Sequence, residues 1–170
     1  GALALLLILA MAGALVISND NQLGTNPYVN LNGGNLSIWE QDVTINRNLN
    51  FLSTSQIDVA EGRTLTQATQ STTNGSVLSV WQGAGTLNKS GLGTLVLQAD
   101  NSFAALQISS GVVSASSNDQ LGNTATPGGI TFNNAGGAYG TGSIPTLRFT
   151  SSVANVNRVV TATTAGAIDV

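Results

Sequence analysis

Eight carboxylates carry most of the chemistry open to this chain: Asp20, Glu40, Asp42, Asp58, Glu61, Asp100, Asp119 and Asp169. Histidine and cysteine are absent, which removes the commonest general base, the thiol nucleophile and the two leading zinc ligands. One pair stands out. Glu40 and Asp42 lie two residues apart, so on a strand they would share a face, and Arg47 follows closely. With neighbouring strands converging on them, these three could serve a polysaccharide lyase or hydrolase. They also match two exposed residues on an ordinary outward face, which is the expected reading. We assign no catalytic, cofactor-binding or metal-binding residue from the sequence.

The other conspicuous side chains each admit a bland reading. Lys89 could contact a ligand, but a solvated lysine at an outward or corner position discourages edge pairing. Trp39 and Trp81 could stack on sugar rings; stacking inside an apolar core is the expectation for both. Asn19 and Asn118 could bind calcium, yet the glycine–aspartate nonapeptide of calcium-binding rolls is missing. They read as corner residues that tolerate left-handed backbone and bond local amides.

The composition says what must position these groups. Gly, Ser, Thr and Asn supply 74 of 170 residues, while only 13 are charged, about a third of the usual fraction. Helices need charged faces and strong helix formers, and both are scarce. Thr, Val and Ile on strands with Asn and Gly at corners point to an all-β chain. The net charge is −3, and Arg47, Arg63, Lys89, Arg148 and Arg158 are scattered, which argues against nucleic-acid binding.

Residues 1–17 hold only Gly, Ala, Leu, Ile, Met and Val. A signal-peptide core would want a basic region before it, and a transmembrane helix about 20 apolar residues. Strands are expected over 14–18, because Gly13–Gly24 parallels Gly111–Gly122 without a gap. Residues 1–12 have no account in the sequence.

The chain repeats itself. Asn19-Asp20-Asn21-Gln22-Leu23-Gly24 recurs as Asn118-Asp119-Gln120-Leu121-Gly122, and Ile45-Asn46-Arg47 as Val156-Asn157-Arg158. The two partial copies span 13–59 and 111–170, with extra residues of the second falling in Gly128–Gly142. The second copy stops where the first continues, so we expect a fragment of a longer protein, one segment over 1–170. Short strand-like runs are predicted at 29–31, 36–39, 43–45, 49–52, 56–59, 64–67, 77–81, 94–98, 106–108, 112–115, 129–132, 146–150 and 158–162. Polar corners separate most of them, and Asn74-Gly75 has the form of a two-residue hairpin turn. A right-handed parallel β-helix, a solenoid of seven or eight turns of the chain, fits best; a β-sandwich or jelly roll is the alternative.

One stretch is more specific. Gly83-Ala84-Gly85-Thr86-Leu87-Asn88-Lys89-Ser90-Gly91-Leu92-Gly93-Thr94-Leu95-Val96-Leu97 alternates glycine, lysine and leucine with period two. Asn101-Ser102-Phe103, Gly111-Val112-Val113 and Ser117-Asn118-Asp119-Gln120-Leu121-Gly122 follow it. Together, residues 83–122 resemble the autotransporter-associated β-strand repeat. Ala104-Ala105 replace that family's Gly-Gly, and the segment is one residue short.

The resemblance implies a β-helix in the passenger of a bacterial autotransporter, secreted to the cell surface, with an outer-membrane barrel elsewhere in the full-length protein. The expected function is a non-catalytic rigid scaffold or stalk for adhesion or display. Partners would be a host surface, glycans or sister chains, and no cofactor is expected. Two alternatives remain open: a carbohydrate-active β-helix using Glu40, Asp42 and Arg47, and a subunit of an extracellular filament. Leu87, Leu95 and Leu97 are expected in the core, with a corner near Ser90-Gly91.

Overall fold

The computed structural model describes residues 7–10, 13–73, 76–134, 144–152 and 156–170. Among them are strands and two short 3₁₀ turns, and no α-helix. In chain order the strands are β1 (Leu7–Ala10) and β2 (Ala14–Ile17), then β3 (Tyr28–Asn32), β4 (Asn35–Ile38) and β5 (Val43–Ile45). β6 (Asn48–Phe51), β7 (Ser55–Val59) and β8 (Thr64–Gln67) repeat that order. β9 (Ser71–Thr73) and β10 (Ser76–Leu78) come next, then β11 (Trp81–Ser90), β12 (Thr94–Val96), β13 (Ser102–Ile108) and β14 (Val112–Ala115). β15 (Ile130–Phe132), β16 (Thr146–Phe149), β17 (Val160–Ala162) and β18 (Ala167–Asp169) complete the chain.

Pairing is parallel throughout the described residues except between β9 and β10. One ladder runs β1–β3–β6 and a second β2–β4–β7. The ten-residue β11 joins them, its start pairing with β6 and its end with β7. β13, β15 and β17 continue this sheet. A separate sheet stacks β5, β8, β12, β14, β16 and β18. The antiparallel β9–β10 pair flanks positions 74–75, where the sequence shows its hairpin signal; those two residues lie outside the described set. Most predicted runs coincide with strands to within two residues. The run 77–81 instead divides between β10 and β11.

Parallel register turns the period-two pattern into interior columns, because paired residues point the same way. Val43, Leu65, Leu95, Val113 and Leu147 form one column, each buried. Phe51 packs against Trp81 and, edge-on, against Phe103, with centroids 6.3 and 5.9 Å away. Leu87, Leu95 and Leu97 are buried as expected. Each fully buried aliphatic side chain contributes about 1.5–3 kcal/mol.

Two expectations fail. Lys89 is fully buried rather than solvated. Its register neighbours are Ile57 and Ile108, so it occupies an apolar column and follows strict alternation from Leu87. The corner lies where expected, with β11 ending at Ser90 and Gly91 at φ +71°, but it comes after the lysine has turned inward. Trp39 is about half exposed instead of in the core, because β4 ends one residue before it. Trp81 is buried as expected.

The similarity of residues 13–24 and 111–122 has a local basis. β2 leads to a 3₁₀ turn at Asp20–Leu23, and β14 to one at Asp119–Leu121. Residues 7–10 form β1, while residues 1–6 and 11–12 lie outside the described set. Of the expected insertion Gly128–Gly142, residues 135–142 also lie outside it.

Candidate functional site

The carboxylate set does not assemble. Glu40 and Asp42 sit on the exposed connection between β4 and β5, not on a strand face as expected. Asp42 Oδ1 accepts the backbone N–H of Thr64 at 2.8 Å, a bond that steadies the chain entering β8. Arg47 is buried and turned elsewhere: its Nε donates to Asp20 Oδ1 at 3.0 Å and its Nη1 to the carbonyl of Asn26 at 2.5 Å.

Arg158 is held in a matching way. Its Nε donates to Asn118 Oδ1 at 3.1 Å, and Nη2 donates to the carbonyls of Asn118 and Gly122 at 3.2 and 2.7 Å. Both arginines therefore plug a 3₁₀ corner. The corners share a second device. Gln22 Oε1 accepts the N–H groups of Ser18 and Asn19, and Gln120 Oε1 accepts that of Ser116. Asn19 and Asn118 stand at the corners as expected, but neither takes left-handed backbone, with φ at −158° and −62°. No cluster among the described residues has the three or more acidic, histidine or cysteine side chains a metal would need.

The buried Lys89 is the least expected group. Its Nζ donates to the carbonyls of Ser90 and Gly91 at 2.6 and 2.7 Å, and to that of Ser110 at 3.4 Å. Burial pushes its pKa down to about 7, opposed by the charge of Asp58. Asp58 accepts from Trp39 Nε1 at 2.8 Å and from Ser90 Oγ at 3.2 Å. The half-exposed Trp39 ring is thereby tethered to a buried carboxylate. These bonds close a corner and cover a charge; they present no reactive atom to solvent.

Two amide systems also escaped sequence reasoning. Inside, Gln67 and Asn101 bond each other and the backbone around Ser79–Trp81. Outside, Asn50 Nδ2 donates to Asn30 Oδ1 and Gln82 Nε2 donates to Asn50 Oδ1, both at 2.8 Å. That run crosses β3, β6 and β11 in register and enters an open cleft of about 690 Å³. The available signal was the matching parity of polar residues on successive strands, readable only once the pairing is known.

No helix among the described residues is long and apolar enough to cross a membrane. Comparison with family models, with curated proteins and with solved structures found no match to this chain.

Proposed function

We propose that this chain is a non-catalytic structural segment, a right-handed parallel β-helix from an autotransporter-type passenger on a bacterial surface. Its work is to extend and present, as a rigid stalk for adhesion or display. The observation that carries this reading is the use of the charged side chains. Arg47, Arg158 and Lys89 each donate to a backbone carbonyl at a corner, and Asp42 and Asp58 accept from neighbouring segments of chain. Polar groups bound this way stiffen a stack of parallel strands and are unavailable to a substrate. The β-strand repeat resemblance of residues 83–122 supplies the cellular setting.

The test uses the full-length protein in its own cells. An antibody raised against this segment should stain intact, unpermeabilised bacteria. Glu40→Gln and Asp42→Asn should leave adhesion, and any polysaccharide turnover by the parent, unaltered. Staining only after permeabilisation would overturn the surface assignment. Loss of turnover in either variant would favour the lyase-like alternative.

A further inference from the structure

The cleft over β6, β11 and β13 has the chemistry of a binding site. Its floor carries Asn50, Gln82 and Ser102, aligned by register across the three strands. Leu52 and Ala84 supply apolar surface, and Asn123 stands at the start of a turn, its Oδ1 accepting the N–H groups of Ala125 and Thr126. No charged residue lines it.

Its shape is built into the backbone. The β11–β13 register shifts between Gly83 and Thr86. A Cβ on Gly83 would lie 2.3 Å from the Phe51 carbonyl oxygen, and one on Gly85 2.2 Å from that of Ser53. Only glycine lets β11 press this closely on the chain below, and the irregular strand leaves a depression beside it.

We propose that this cleft binds an uncharged polysaccharide lying across the strands. A primary amide donates and accepts, as a sugar hydroxyl does, while Leu52 and Ala84 suit the C–H face of a ring. The amides repeat at the strand spacing, about 4.8 Å. That step is comparable to one hexose in an extended glycan, whereas a peptide strand advances about 3.3 Å per residue and falls out of phase. The absence of cations selects against uronic or sialic polymers. This inference deepens the stalk reading by naming what the stalk holds, and it is tested separately from it.

Affinity electrophoresis of the purified chain in gels containing hydroxyethyl cellulose, laminarin, dextran or mannan tests it, with alginate as the polyanionic comparison. At least one neutral polymer should retard the chain while alginate does not. Gln82→Ala should weaken retardation about tenfold. Ala84→Tyr, which fills the cleft from an exposed position, should do the same with an unchanged melting temperature. No retardation by any neutral polymer, equal retardation by alginate, or full retardation of Ala84→Tyr would overturn the proposal. So would competition by a Gly-Ser peptide as effective as a soluble oligosaccharide. Release of reducing ends by the wild-type chain would instead count against the non-catalytic reading and leave the binding site standing.

Discussion

Gln67 and Asn101 face each other in the interior and exchange two amide bonds, Gln67 Nε2 to Asn101 Oδ1 at 2.7 Å and Asn101 Nδ2 to Gln67 Oε1 at 3.1 Å. Each has backbone partners too: Gln67 Nε2 donates to Ser79, and Asn101 accepts from Trp81 and donates to Gln120. Asn48 adds a third amide, spanning Val77 and Val80. The three tie the chain down where it returns from the β9–β10 hairpin.

Asn101→Leu should therefore cost about 3 kcal/mol, because it orphans buried backbone groups as well as Gln67. A double-mutant cycle with Gln67→Leu, read by urea denaturation, should give a coupling of roughly 1–3 kcal/mol. Strict additivity would refute the pairing.

The lysine predicts a pH dependence. Lys89 sits at about 7 in the folded chain against an ordinary value of 10.5. Between those values the unfolded chain holds the extra proton, so stability rises with pH from about 7 to about 10. Below about 7 the native lysine is protonated as well and this contribution stays at its floor. Lys89→Met should flatten that rise in denaturation midpoints measured at pH 7 and pH 10. Identical slopes for the two proteins would sink the assignment.

Two glycines separate crowding from backbone strain. A Cβ on Gly111 would lie 2.4 Å from the carbonyl oxygens of both Gly91 and Gly93 and 2.9 Å from Lys89 Nζ, at φ +67°. Gly24 has φ +82° with nothing within 4 Å. Gly24→Ala should cost roughly 1–3 kcal/mol, the strain alone of a backbone at φ +82° and ψ −156° that only glycine adopts readily, and Gly111→Ala clearly more. Equal melting temperatures for the two variants would contradict the packing at this corner.

Much of the strand layout was legible because period-two alternation and polar corners are local properties. Val43–Ile45, Thr64–Gln67 and Val112–Ala115 are strands at their predicted bounds. The recurrence of Gln-Leu-Gly likewise marked two similar 3₁₀ corners. What failed depends on partners far away in sequence. Lys89 was placed outward as a solvated residue that discourages edge pairing, yet three carbonyls brought by the corner accept its N–H groups inside. Trp39 was placed inward as an aromatic stacking in the apolar core, although Asp58, nineteen residues on, holds it at the surface. The amides of Asn50 and Gln82 gave no signal singly; stacking makes them a site.

The register of the columns also sets how the chain can assemble itself. Leu36 meets Ile57 and Leu147 meets Ile168, so most strands find their template within a short stretch of chain. Closing such loops costs little entropy, and each new strand needs only its predecessor in place. The wait is longer across two stretches: Leu49 to Trp81, Ile57 to Lys89 and Leu65 to Leu95 span the first, and Val113 to Leu147 and Ile130 to Val160 the second. Growth from the amino end would hesitate at those two places, and a chain stopped there would show the raw edge of β8 or β14 to its surroundings.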